Sequence, residues 1–221
     1  MRIFFHRGCS GIRRAFKASQ SPNHRITRKR SALSLPPSEN PAKVPVMSKA
    51  DNREFISLGI AVLTVSDTRT KATDRSGCLL TERVTQAGHN IADEKIVSDD
   101  IYKIRVVVSQ WIAEPKVNVI LSTGGTGVTG RDGTPEAISP LLEKEITGFG
   151  ELFRMISFEE IGTSSLQSRC LAGVANGTYI FCLPGSTDAC ATGWDKLIAK
   201  QLDYRTLPCN LVELMPRLKE K

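Results

Sequence analysis

Apolar and polar stretches alternate along the chain from Ser57 onward, and each apolar stretch is short. Ile60–Val65 (IAVLTV) is apolar at nearly every position, the pattern of a strand buried on both faces of a parallel sheet. Gly77–Ala87 predicts a helix closed by Gly88, and Ile91–Val97 a second strand, more polar and therefore nearer an edge. Ser98 is the expected N-cap of a helix over Asp100–Ala113, whose Ile101, Ile104, Val108 and Trp111 recur at helical spacing. Val117–Leu121 predicts a third strand. Tyr179–Leu183 predicts a later buried one that ends in Pro184-Gly185-Ser186, and Asp188–Leu202 a closing helix. Strands alternating with helices in this way give an α/β fold, a doubly wound and mostly parallel sheet with helices on both faces. Ligands of such sheets bind beyond the carboxyl ends of the strands.

The third strand runs into Ser122–Ile138, STGGTGVTGRDGTPEAI. Gly125, Gly127 and Gly130 fit the dinucleotide fingerprint G-x-G-x-x-G letter for letter. The same stretch approaches a P-loop, with Arg131-Asp132 where Lys and Ser/Thr belong. Neither motif holds. The fingerprint needs its third glycine inside a helix on the first strand, whereas here the helix can begin only at Thr134 as N-cap, with Pro135 at its first position. The P-loop lacks its lysine and its magnesium-binding hydroxyl. What remains is a glycine turn at a strand's carboxyl end, with Asp132 just before a helix N-terminus. Glycines let backbone N–H groups approach an anion, and a neighbouring aspartate suggests Mg²⁺ shared with phosphate oxygens. A turn with no ligand is the plainer alternative.

Charge changes the picture at one end. The net charge is +7, but residues 1–50 hold 11 of the 30 basic residues and one of the 23 acids, leaving 19 basic against 22 acidic residues beyond them. The domain is slightly acidic, which argues against a nucleic-acid partner. Residues 1–52 read as a basic extension with too little apolar content to fold alone, and residues 53–221 as the domain. The accounts that stay open for the extension are translation from Met47, or else an organellar targeting segment or a functional basic arm. The apolar run Gly59–Leu63 is far below the roughly 20 residues that span a bilayer, so no membrane partner is expected. Six scattered cysteines (9, 78, 170, 182, 190 and 209) without a C-x-x-C read as free thiols of a reducing cytosol. His89 follows Gly88 at a helix end, and a surface or capping role is expected of it. With no other histidine in the domain, chemistry falls to carboxylates, backbone N–H groups and a metal ion.

Several ordered motifs resemble the MoaB/Mog family of molybdenum cofactor biosynthesis proteins. They are the glycine stretch, GFGELFRMISFEEIGTSSLQSR at 148–169, LPGSTDA at 183–189, TVSDTR at 64–69 and DRSG at 74–77. The likeness covers roughly 55–218, and SFEEIGTSSLQSR looks more like the B branch than the adenylyltransferase branch. The resemblance implies a molybdopterin-binding fold assembled as a homotrimer or hexamer. It implies molybdopterin as ligand, and, in catalytic members, transfer of AMP from Mg-ATP to the phosphate of molybdopterin. Its paired aspartates match Asp99 and Asp132, which would be catalytic and hold Mg²⁺. From the residues alone, Asp99 beside Asp100 reads as a helix-start acid. Thr123, Gly124, Gly125, Thr126 and Gly127 would bind the triphosphate. Ser66 and Asp67 would touch nucleotide or pterin, or serve a turn. Pro184, Gly185, Ser186 and Thr187 would bind a second anionic group or cap a helix. Ser168 and Arg169 would reach a phosphate or form a surface pair. An adenylyltransferase and a non-catalytic pterin-binding oligomer of the same pathway remain the two readings.

Overall fold

The computed structural model describes residues 53–220; the expectations for the basic extension and the Met47 start lie outside the described residues. Six strands form one mixed sheet in the order β2-β1-β3-β6-β5-β4. β1 (Gly59–Val65), β2 (Asn90–Val97), β3 (Val119–Thr123) and β6 (Thr178–Leu183) run parallel. β4 (Lys144–Glu145) and β5 (Leu171–Ala175) are antiparallel additions. The parallel strands therefore end on one edge of the sheet, at Val65, Val97, Thr123 and Leu183.

Alternate residues of each strand enter opposite cores, which is why the strands read as continuous apolar runs. On one face Ile60, Val62, Leu121, Phe181 and Leu183 pack with α1 (Arg75–Gln86), α4 (Thr147–Ile161) and α5 (Thr187–Gly193), through Leu80, Phe149, Phe153 and Cys190. On the other, Ala61, Leu63, Ile120 and Ile180 meet Ile104, Val108 and Trp111 of α2 (Ile101–Ala113) and Ile138 of α3 (Thr134–Ile138). Burying a side chain of this size contributes roughly 1.5–3 kcal/mol before the entropy cost. Gly193 sits where a Cβ would come within 2.5 Å of Leu183, so α5 approaches the sheet closely. Beyond Gly193 the helix widens into a π turn, Trp194–Ile198, before ending at Gln201.

Several expectations are corrected. Asp100, not Ser98, caps α2: its carboxylate accepts from the N–H groups of Tyr102 and Lys103, both at 2.9 Å, while Ser98 accepts from Lys103 Nζ. The shorter reach of Asp100 to the first turn decides this. Gly133 occupies the cap position of α3, and Thr134 is the first helical residue, its hydroxyl being engaged backward with the glycine turn. His89 is buried, 5% exposed, and accepts the N–H of Leu58 at 3.2 Å on Nδ1. Its ring also stacks at a tilt on Phe55. A helix-end position said nothing of a partner 31 residues earlier, in the segment that leads into β1. The helix α4 and the hairpin β5–β6 were not anticipated. The hairpin's loop is Asn176-Gly177, with positive φ at both residues (46° and 80°), the geometry that Asn-Gly favours.

Candidate functional site

Four successive carbonyls shape the loop that follows β3. The Thr134 hydroxyl donates to the Gly124 carbonyl at 2.8 Å, and the Thr134 N–H to that of Gly125 at 3.0 Å. The Arg169 N–H donates to the Thr126 carbonyl at 3.1 Å, and Arg169 Nε to that of Gly127 at 2.6 Å. Because a trans peptide sets C=O and N–H in opposite directions, the N–H groups of Gly125, Thr126 and Val128 are left on the other side, while that of Gly127 bonds the Asp132 carboxylate. Two glycines are sterically required. Gly124 has φ +102°, and a Cβ would lie 2.2 Å from the Val65 carbonyl. Gly125 has φ +63°, and its Cβ would stand 2.4 Å from the Thr134 hydroxyl and 2.9 Å from Asp99 Oδ1.

A second loop, after β6, is built alike. The Pro184 carbonyl accepts from the Thr123 hydroxyl at 2.9 Å, and the Gly185 carbonyl from the Ser76 hydroxyl at 2.8 Å. Ser76 is placed by Asp74, the buried cap of α1, which accepts from Gly77 N–H at 2.9 Å and from the Thr64 hydroxyl at 2.5 Å. The thiol of Cys190 lies against Thr123 and Pro184, and burial pushes its pKa up to about 11. It is a structural thiol at neutral pH, as expected of a cysteine in a core. Ser186 caps α5 by accepting from Ala189 N–H at 3.3 Å.

Between the two loops and the end of α4 lies a pocket of about 360 Å³. Its wall brings together the expected Gly125, Thr126, Gly127, Asp132, Ser168, Pro184, Gly185 and Ser186. Thr123 and Gly124 lie beneath as buried support, and Thr187 opens α5 outside the wall. Phe153, Ser157, Ile161, Ser165 and Gln167 complete the pocket from α4 and the following turn. They were missed because their helix was not recognised; the serines spaced along SFEEIGTSSLQS were the available signal. Ser168 Oγ is buried in the wall beside the Cys170 thiol, with no oxygen or nitrogen partner. A larger groove, about 560 Å³, lies between α1 and β2; it contains neither glycine loop nor either candidate acid.

Of the two acids, Asp132 stands in the pocket wall, and Asp99 Oδ1 lies 2.9 Å from where a Cβ on Gly125 would stand. Asp99 follows β2, and its N–H donates to Asp67 Oδ1 at 3.2 Å. Asp67 Oδ2 forms an ion pair with Arg131. Ser66 spends its hydroxyl on its own turn, accepting from the N–H groups of Thr68 and Arg69. Asp132 Oδ2 accepts from the hydroxyl and N–H of Thr129 at 2.6 and 2.8 Å. The Thr129 hydroxyl is the main reason its carboxyl titrates below the ordinary range. Asp99 moves the other way: burial first, then the charge of Asp132, raise its pKa. The Asp132 carboxylate also accepts from the Gly127 N–H, so the two mutually repelling carboxylates, one of them partly desolvated, are a hard oxygen pair of the kind that suits Mg²⁺ completed by phosphate oxygens and water.

The mostly parallel sheet, with its glycine loop at the carboxyl edge, defines an α/β protein of the doubly wound class. A family model described as "Probable molybdopterin binding domain" matches residues 61–204. The chain belongs to this family, and within it to the MoaB/Mog group. It is 57% identical over 157 residues to "Molybdenum cofactor biosynthesis protein B" of Escherichia coli strain K12, covering 71% of this chain and 92% of that protein. The protein of the same name from Bacillus cereus is 47% identical over 146 residues, covering 66% and 86%. A crystal structure of molybdenum cofactor biosynthesis protein B superposes with a TM-score of 0.69 at 40% identity, over 76% of this chain and all of that one. The tungsten cofactor synthesizing protein MoaB from Pyrococcus furiosus superposes with a TM-score of 0.62 at 31% identity, over 74% and 98%.

Proposed function

We propose that the chain serves molybdenum cofactor synthesis by binding molybdopterin at this pocket and adenylylating its phosphate with Mg-ATP. The observation that carries the reading is the run of four inward-bonded carbonyls, Gly124 to Gly127, which leaves the N–H groups of Gly125, Thr126 and Val128 as donors for phosphate, that of Gly127 being bonded to Asp132. Among the described residues the pocket wall contains no lysine or arginine, so phosphate is met by fixed dipoles rather than mobile charges. In the transfer a phosphate oxygen of the pterin attacks the α-phosphorus of ATP. The bond from that phosphorus to the pyrophosphate oxygen breaks, AMP joins the pterin and pyrophosphate leaves. The protein's part is positional: backbone N–H groups hold the phosphate oxygens, and the serines of the α4 side face the polar edge of the pterin. Asp99 and Asp132 would hold the Mg²⁺, which when bound offsets the charge of the triphosphate.

One observation favours the second reading, a non-catalytic molybdopterin carrier. Asp132 Oδ2 already accepts two hydrogen bonds from Thr129, which makes that oxygen part of the loop's own scaffold. Incubation with Mg-ATP and molybdopterin separates the two. Adenylylated pterin released with pyrophosphate supports the enzyme; pterin bound but unchanged sinks that reading and leaves the carrier.

The same reading includes self-association. Leu152, Met155, Phe158 and Ile161 form an exposed apolar stripe on α4, each 47–58% exposed, and Leu166 extends it. A homotrimer or hexamer would cover it. Among the described residues no helix is long and apolar enough to cross a membrane; a cytosolic location is proposed from the likeness to the bacterial cofactor-biosynthesis proteins.

A further inference from the structure

Arg169 stands outside the acids and the glycines that the family resemblance singles out, yet it touches more of the loop than any of them. Its backbone N–H bonds Thr126, its Nε bonds the Gly127 carbonyl at 2.6 Å and its Nη2 the Asp132 carbonyl at 2.8 Å. Its Nη1 pairs with the carboxylate of Glu136 in the first turn of α3. The guanidinium thus spans the near limb, the far limb and the following helix, and its three nitrogens are all engaged within the protein. Only a planar fork reaches three such acceptors at once; an ammonium is a point. Its positive charge also lies between Asp132 and Glu136, which repel each other.

We propose that Arg169 is a positioning residue, a brace that turns the glycine-loop carbonyls into the protein and so gives the loop its affinity for phosphate, without touching the ligand. It rests on the reading of the loop as a phosphate cradle. Without the fork, the Gly127–Val128 peptide is free to rotate and present its carbonyl to the pocket, and an oxygen there repels the anion the N–H group would bind. Arg169 therefore acts by orientation and not by its net charge. That separates it from an arginine that binds phosphate directly, for which lysine is a workable substitute.

The test uses the full chain and inorganic tripolyphosphate as probe, with binding followed by calorimetry and folding by thermal melting. Arg169→Lys keeps the charge and loses the fork, and its affinity should fall on the order of 10-fold to 100-fold, the loss of two charge-assisted hydrogen bonds. Glu136→Gln leaves the two carbonyl contacts intact and should lose only about 3-fold. Arg169→Ala should regain tripolyphosphate binding when guanidinium ion is added at millimolar concentration, and should not regain it with ammonium. A role confined to fold stability would lower the melting temperature while leaving the affinity of the folded protein unchanged, and would overturn the proposal. Wild-type affinity in Arg169→Lys overturns it as well, as does a wild type that does not bind tripolyphosphate. Tripolyphosphate binding in a wild type that fails to adenylylate molybdopterin would instead sink the enzymatic reading and leave the brace in place.

Discussion

Asp99 and Asp132 carry the same functional group in different surroundings, and their substitution by asparagine should separate accordingly. Asp132 is held by Thr129 and titrates low; Asp99 is partly buried beside a like charge and titrates high. If the chain adenylylates molybdopterin as proposed, Asp132→Asn should reduce that rate by about 10²–10⁴-fold, the range for losing a preorganised electrostatic contact. It should also lower the melting temperature at neutral pH, because a carboxylate with depressed pKa contributes stability above its unfolded pKa. Asp99→Asn should reduce turnover similarly, yet leave melting unchanged or slightly higher without Mg²⁺, since the repulsion from Asp132 is gone. Rates and melting curves of both variants check this; equal adenylylation in both and the wild type would remove the acids from the mechanism. His89 supplies a second prediction. Burial lowers its pKa against a smaller opposing pull from Asp203. The neutral ring is therefore favoured by folding, and stability should fall as pH drops below about 6.5, where the unfolded state takes up the proton first. Melting between pH 7.5 and 5.5 should show the decline, and His89→Gln should flatten it. The local sequence could not reveal this buried role, because the ring's partner belongs to the chain before β1.

At the scale of elements, the parallel half of the sheet was legible in the runs Ile60–Val65 and Tyr179–Leu183, because burial on both faces imposes continuous apolar sequence. The antiparallel half was not. β5 reads Leu-Ala-Gly-Val-Ala, too short and too small to signal a strand, although Asn176-Gly177 marked its hairpin. The glycine loop was legible as a tight turn at a strand's carboxyl end, but its bracing was not, because the donors come from Thr134 and Arg169 rather than from the motif. The motif's three glycines also prove unequal. Gly125→Ala forces a Cβ against Thr134 and Asp99 at positive φ, and should cost about 1–3 kcal/mol and most phosphate binding. Gly130→Ala meets nothing within 4 Å and should be near neutral in both. Melting and tripolyphosphate titration of the pair test this. Equal effects would mean the loop is not held as described.

For the whole molecule, the α4 stripe sets the expectation. Phe158 is 56% exposed in the isolated chain, so a charge there costs the fold little but would be buried unpaired in an assembly. Light scattering at micromolar concentration should give a trimer or hexamer for the wild type and a mass nearer one chain for Phe158→Glu. A wild type that is already a stable monomer would refute the assembly.

Three ties that bring the pocket's two loops together reach far along the chain: Gly127 to Arg169 spans 42 residues, Thr123 to Pro184 spans 61 and Ser76 to Gly185 spans 109. Closing loops of such lengths is entropically costly, and chains fold their short-range contacts sooner. Trp111, whose indole donates to Asp93 only 18 residues away, belongs to the half that can order early. Refolding should therefore restore the Trp111 fluorescence, isolated by Trp194→Phe, before the chain regains tripolyphosphate binding. Simultaneous recovery in a stopped-flow and ligand-trap experiment would contradict this order. A nascent chain halted before Leu183 would hold both aspartates and every glycine of the first loop, and still have no pocket: competence arrives with the last strand.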